Sequence, residues 1–140
     1  MFEKRIEIRW RDLDAYGHVN QAVYVTYAEE VLDAWLGERL GIVPGEVWDH
    51  VAKKTTIVYN AELRQADLEV VGTVQVLRVG TTSVTVEIEL QRPDGEVAAE
   101  VESVIVAIDG RGGGARTLTA TERVALNEDG AEAWPQRESI

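Results

Sequence analysis

The chain reads as an α+β domain in which an antiparallel five-stranded β-sheet wraps around one long central α-helix. Three observations predict this. Apolar and polar residues alternate over positions 2–10, a period of three to four runs from Gln21 to about Leu40, and four runs rich in Val, Ile and Thr follow Trp48. A half-buried sheet and an amphipathic helix each present an apolar surface, and curling one around the other covers both.

In the first strand Phe2, Ile6, Ile8 and Trp10 fall on one side and Glu3, Arg5, Glu7 and Arg9 on the other, with Lys4 the exception. In the helix the polar positions Thr26, Glu30, Asp33 and Gly37 form one wet stripe. Val23, Tyr24, Tyr27, Val31, Leu32, Trp35 and Leu36 give it an unusually wide apolar face. Asn20 suits the N-cap and Gly41 the C-terminal stop. Strands are expected at 55–63, 72–79, 83–92 and 96–108. The apolar run Val104-Ile105-Val106-Ala107-Ile108 suits a central strand. Pro93-Asp94-Gly95 marks a hairpin, and Val79-Gly80-Thr81-Thr82 a second turn. Past Asp109, the glycine run at 110–114 reads as a flexible connector, with a short helix over 119–126 capped by Thr119 or Thr121. The residues from Asn127 are expected to be loosely ordered. The 140 residues thus form a single domain with its core over about 2–126 and no internal repeat.

Composition narrows the function classes. With 45% hydrophobic and 28% charged residues the chain is that of a soluble globular protein. No apolar run approaches the roughly 20 residues that span a bilayer, and the N-terminus lacks a signal-peptide pattern. No membrane association is expected, and a cytoplasmic location fits. Cysteine is absent, which removes disulfides, thiolate metal sites and thiol nucleophiles. Two histidines, His18 and His50, are too few for a zinc site of the usual kind, so no metal is expected. The 25 acidic against 14 basic residues give a net charge of −11, which repels nucleic acid. An anionic ligand must therefore rely on locally placed cations such as Lys53, Lys54, Arg64 and Arg92.

Walker, GxGxxG, HExxH and GxSxG motifs are all missing. What remains is the polar segment Asp12-Leu13-Asp14-Ala15-Tyr16-Gly17-His18-Val19-Asn20, between a strand and the start of the buried helix. A helix N-terminus offers unpaired N–H groups that can hold an oxyanion, and the backbone N–H groups of Gln21 and Val19 are candidates. Asp14, delivered by a tight glycine turn, can act from the other side of a carbonyl as nucleophile or general base. An Asp at this position is also a common cap or turn residue. Asp12 reads as a solvated turn residue. His18 can orient substrate, hydrogen-bond Asp14 or brace the loop. Gly17 suits a positive φ or a close approach by substrate, Asn20 is first an N-cap, and Tyr24 lines the helix's packed face.

The run Asp14-x-x-Gly17-His18-Val19-Asn20-x-x-x-Tyr24, opening a long helix ahead of four strands, resembles the hotdog thioesterases of the 4-hydroxybenzoyl-coenzyme A type and the related acyl-carrier-protein thioesterases. The resemblance covers about residues 4–108. It implies a hotdog fold and hydrolysis of an acyl-coenzyme A or acyl-carrier-protein thioester, with active sites at the interface of a homodimer or homotetramer. No separate cofactor is implied, since coenzyme A belongs to the substrate. It further implies that Asp14 is the catalytic carboxylate and that the Gln21 N–H polarises the carbonyl; His18 is counted with them as a catalytic candidate, and Gly17, Val19, Asn20 and Tyr24 as substrate-binding candidates. Many relatives carry Gly-Asp after the second strand where this chain has Ala66-Asp67, a turn position given no catalytic role. Two other readings stand beside this one. The first is a hotdog dehydratase or hydratase, which uses an Asp/His arrangement further along the chain that is not found here. The second is a non-catalytic acyl-thioester-binding module.

Overall fold

Five strands, β1 (Glu3–Glu7), β2 (His50–Tyr59), β3 (Glu69–Val79), β4 (Ser83–Gln91) and β5 (Val97–Ala107), pair antiparallel in the order β1-β3-β4-β5-β2. The helix α1 (Gln21–Leu40) packs on one face of this sheet, the hotdog arrangement, and a short α2 (Ala120–Leu126) closes the chain. The computed structural model describes residues 2–110 and 112–127.

Register explains which side chains meet the helix. Val74, Ile88 and Val101 stand in one cross-strand row, and Gly72, Leu90 and Ala99 in the next. Residues i and i+2 share a sheet face, so β4 sends Val84, Val86, Ile88 and Leu90 inward, all at most 1% exposed. They meet Tyr24, Tyr27, Ala28, Val31, Leu32, Trp35 and Leu36 of α1, spaced three and four apart as one helical face requires. Burying each large side chain of this set contributes roughly 1.5–3 kcal/mol. The helix ends are chemical. Asn20 Oδ1 accepts the Ala22 N–H at 2.9 Å, and Gly41 takes the left-handed conformation (φ 64°), its N–H reaching the Gly37 carbonyl.

Close approach of helix to sheet depends on one missing side chain. A Cβ on Gly72 would lie 2.2 Å from Val31 Cγ2.

Several expectations shift at the edges. Trp10 does not face the core: it is 81% exposed, because β1–β3 pairing ends at Glu7↔Glu69 and the chain turns into a 3-10 helix, Trp10–Asp12. β2 begins at His50 rather than residue 55 and ends at Tyr59 rather than residue 63. A register break between Ala52 and Lys54 interrupts the alternation at its start, and at its end Asn60 and Ala61 both donate to the Ala98 carbonyl. The expected turns stand at Gly80, whose N–H donates to Ser83 O, and at Gly95. The glycine segment is tied into a turn rather than a free connector. Asp109 N–H donates to Gly114 O, Gly113 N–H returns to Asp109 O, and Ile108 bridges Ala115, while Arg111 lies outside the described residues. The loosely ordered tail expected from Asn127 likewise falls, from residue 128 on, outside them. No helix among the described residues is long and apolar enough to cross a membrane.

Thr119 caps α2 and Glu122 completes the capping box. Glu122 also receives two N–H groups of Arg116, at 2.8 and 2.7 Å, and Trp48 Nε1–H at 2.7 Å. These bonds, Arg116 first and against the opposing effect of burial, pull the Glu122 carboxyl down to about 2.

Two stability outcomes follow. Gly72→Ala forces helix and sheet apart and is expected to lower the unfolding free energy by about 1–3 kcal/mol in urea titrations. A carboxyl with a depressed folded-state pKa stabilises the fold above its unfolded value, and that stability fades as pH falls toward about 2. Glu122→Gln is thus expected to cost about 2 kcal/mol near neutrality. The gap between variant and wild type should close steadily in titrations carried below pH ~4.5.

Candidate functional site

The loop from Asp12 to Asn20 is closed at both ends by backbone bonds. Asn20 N–H donates to Asp12 O at 2.9 Å, Asp14 N–H donates to His18 O at 2.7 Å, and Leu13 bridges Val19. Gly17 sits at the apex with φ 77°, the left-handed conformation that glycine accommodates without strain, and its N–H reaches Asp14 O at 3.2 Å. Asp12 is 6% exposed, not solvated as its position in a polar loop suggests. Its Oδ2 accepts the Tyr27 hydroxyl at 2.7 Å and the Arg9 N–H at 3.0 Å. The Tyr27 phenol is accordingly raised far above its ordinary range, by burial first and by the Asp12 carboxylate second.

Within this frame the Asp14 carboxylate is half tied and half free. Oδ1 accepts the Tyr16 N–H at 2.8 Å and the His18 N–H at 3.2 Å, while Oδ2 has no hydrogen bond among the described residues. At the start of α1 the backbone donors divide in the same way. Val19 N–H is spent on Leu63 O at 2.8 Å, so the oxyanion role considered for it is excluded. Asn20 N–H goes to Asp12, and Ala22 N–H to the Asn20 side chain. Gln21 N–H is left without an acceptor among the described residues and points out along the helix dipole.

A cleft of about 490 Å³ joins these groups. Asp14, His18, Val19, Asn20, Gln21 and Tyr24 line it, together with Tyr59, Asn60, Ala61 and Glu62. Six of the seven expected site residues therefore meet in one place, and the seventh, Gly17, stands outside the lining at the turn that shapes the loop. Tyr24 is 4% exposed and receives the Leu63 N–H on its hydroxyl at 2.9 Å. Burial raises its phenol, with the Leu63 bond acting in the opposite direction. The opposite wall, residues 59–62, comes from the end of β2 some 40 positions away and carries no local motif. His18 does not bond the Asp14 carboxylate through its ring. Its Nε2 lies 3.2 Å from Glu62 Oε2 and its backbone bridges Arg64, so it braces the loop against that wall.

The cations proposed from charge separate. Arg92 is committed to Glu62 O, Glu96 and Asp67, and Asp67 Oδ2 caps the turn at Arg64 N, consistent with a shaping role for Ala66-Asp67. Lys53 and Lys54 lie on β2 outside the cleft lining. Arg64, its side chain 58% exposed, lies 3.4 Å from Glu62 of the cleft wall, and its backbone bridges His18. No group of three or more His, Cys, Asp or Glu among the described residues is arranged to hold a metal ion. Chemically, Asp14 and Gln21 line one cleft, and among the described residues one carboxylate oxygen and one helix N-terminal N–H are without partners, a pairing suited to attack on a carbonyl.

Comparison with known proteins gives a family and close folds. Residues 8–134 match the model of the thioesterase-like superfamily. The PA5185 protein of Pseudomonas aeruginosa PAO1 superposes with a TM-score of 0.82 at 25% identity, over 91% of this chain and 90% of that one. A thioesterase of Thermus thermophilus, solved with coenzyme A and Zn, gives 0.77 at 29% identity over 95% of each chain. A thioesterase-superfamily protein of Jannaschia sp. CCS1 gives 0.76 at 26% identity, over 90% of this chain and 80% of its own. No curated protein matches the sequence.

The Asp12–Tyr27 bond generates a prediction. Tyr27→Phe removes the hydroxyl from a buried carboxylate and is expected to cost about 1–3 kcal/mol of stability by urea unfolding. An unchanged midpoint would mean that Asp12 does not depend on that donor.

Proposed function

The chain belongs to the thioesterase-like superfamily, and from that membership we propose that it hydrolyses an acyl thioester to a carboxylic acid and a free thiol. The observation that carries the site assignment is the division of labour on Asp14, a residue of the cleft lining: Oδ1 anchors the loop, and Oδ2 has no hydrogen bond among the described residues. In the proposed reaction Oδ2 either attacks the thioester carbonyl carbon, expelling the thiolate and leaving an anhydride on Asp14 that water then hydrolyses to the acid, or takes a proton from a water that attacks the carbonyl directly. The carbonyl oxygen, as it becomes an oxyanion, is received by the Gln21 N–H at the positive end of α1. The thiolate departs readily, so this equipment suffices without a metal or a triad. Val19, Asn20 and Tyr24 confine the acyl side of the cleft, Gly17 shapes the loop, and His18 holds the loop against Glu62.

The thiol-bearing group is read as coenzyme A, with an acyl-carrier protein as the second substrate form. The Thermus thermophilus relative at 29% identity was solved with coenzyme A, which supports the first. The net charge of −11 opposes an anionic ligand at long range, and the proposed local attraction is Arg64, which neighbours Glu62 of the cleft wall. The proposed assembly is a homodimer or homotetramer. β2 is an edge strand with most of its side chains exposed, a surface that a second copy can pair with.

Asp14→Asn tests the assignment cleanly, because the amide oxygen still accepts the Tyr16 and His18 N–H groups. Thiol release from a panel of aromatic, short, medium and long acyl-coenzyme A thioesters is expected to fall by roughly 10³-fold or more in kcat, with the thermal transition unmoved. Retention of most turnover would remove Asp14 from the chemistry. Binding of thioesters without turnover by wild type would favour the non-catalytic module.

A further inference from the structure

The cleft holds a second carboxylate, Glu62, on a backbone that is tied down on both sides. Before it, Ala61 N–H donates to Ala98 O at 3.0 Å. The Glu62 carbonyl accepts two N–H groups of Arg92, Nε at 2.8 Å and Nη2, and the Arg92 side chain is itself held by Glu96 and Asp67. After it, Leu63 is fully buried, its N–H donating to the Tyr24 hydroxyl at 2.9 Å and its carbonyl accepting the Val19 N–H at 2.8 Å. The Glu62 side chain, by contrast, is 53% exposed. The carboxylate is positioned without being buried.

His18 joins this group to Asp14. The His18 backbone N–H donates to Asp14 Oδ1 at 3.2 Å, and its ring Nε2 lies 3.2 Å from Glu62 Oε2. One residue thus touches both carboxylates, the first through its main chain and the second through its side chain. Arg64 also reaches Glu62 Oε2, at 3.4 Å, whereas Oε1 has no hydrogen bond or ion pair among the described residues. Glu62 therefore repeats the pattern of Asp14, with one oxygen held and the other not.

A second carboxylate answers a need of the two-step route. When Asp14 is the nucleophile its carboxylate is consumed in the anhydride, so it cannot take a proton from the water that follows. A separate base speeds that attack. Among the other titratable groups of the lining, the buried Tyr24 hydroxyl is engaged by the Leu63 N–H, the Tyr59 hydroxyl donates to the Gln21 carbonyl, and the His18 ring faces Glu62. Glu62 is the group left for the task.

We propose that Glu62 is the general base of the second half-reaction, taking a proton from the water that hydrolyses the anhydride between the acyl group and Asp14. The inference rests on the thioesterase reading, commits it to the two-step route and adds a second catalytic residue. The water oxygen bonds to the acyl carbon, one of its protons passes to Glu62 Oε1, and the bond from that carbon to the Asp14 oxygen breaks. The Asp14 carboxylate is restored and the acid is released. Glu62 then returns its proton to the solvent, to which its side chain is open. His18 and Arg64 keep Oε2 engaged and leave Oε1 for the water.

The test follows thiol release by rapid mixing in wild type, Glu62→Gln, Glu62→Asp and Asp14→Asn, with whichever acyl-coenzyme A of the panel wild type turns over fastest. Gln keeps an amide oxygen for the His18 contact and leaves the Arg92 clamp on the backbone untouched, so the thermal transition should not move. Glu62→Gln should release about one thiol per active site in a burst and then turn over roughly 10²-fold or more below wild type, as loss of a general base entails. Glu62→Asp, with its carboxylate one methylene short, should recover part of the loss. Hydroxylamine attacks an anhydride without help from a base. Above the uncatalysed background it should restore turnover in Glu62→Gln, with the acyl group leaving as the hydroxamate, and should not do so in Asp14→Asn, which forms no anhydride. Turnover near the wild-type rate in Glu62→Gln would overturn the inference and leave the thioesterase reading standing. So would a loss of turnover with neither burst nor hydroxylamine rescue, the mark of a brace or of a one-step reaction. No thiol release by wild type from any thioester would overturn both.

Discussion

A carboxylate buried in a protein interior costs several kcal/mol unless donors surround it, and Asp12 is such a group at 6% exposure. Its donors come from the end of β1, through the Arg9 N–H, and from the second turn of α1, through the Tyr27 hydroxyl. Its own carbonyl takes the Asn20 N–H at the helix cap. One residue therefore ties together strand exit, loop and helix entry. Satisfying it leaves little freedom in where Asp14 can stand relative to Gln21, and the distance between those two groups is what any chemistry at this cleft depends on.

The rest of the architecture holds that arrangement in place. The apolar face of α1 is packed on β3, β4 and β5, and Gly72 lets Val31 settle against the sheet without a Cβ in between. A helix fixed along its length has a fixed N-terminus, so the Gln21 N–H, which has no acceptor among the described residues, is held in place as the proposed oxyanion role requires. On the far wall, the Glu62–His18 contact and the Arg92 bonds to Glu62 O hold the segment after β2 against the loop. Packing energy is thereby converted into placement of a few polar atoms.

Much of this was legible in local chemistry. Asn20 and Gly41 mark the ends of α1 because caps are properties of single residues, and Gly17 marks a positive φ for the same reason. The sheet-facing rows of β4 follow from strict alternation. Trp10 misleads because alternation says which side chains can face a core and is silent on where the pairing strand stops. The start of β2 is hidden by the register break beside Lys53, which spoils the two-residue period. Asp12 looks like a loop residue because its partner Tyr27 is 15 positions away, and Tyr59 and Glu62 enter the cleft only through the tertiary fold. The fate of the Val19 N–H was equally invisible, since its acceptor is Leu63.

The central claim is that Asp14 Oδ2 and the Gln21 N–H address the same carbonyl. The most direct test is a crystal structure of the protein with a ketone analogue of acyl-coenzyme A, in which a methylene replaces the thioester sulfur and hydrolysis cannot occur. The account predicts the ketone oxygen within hydrogen-bond distance of Gln21 N, with Asp14 Oδ2 facing the carbonyl carbon. A ketone bound away from Gln21, or with Asp14 turned from it, would contradict the account.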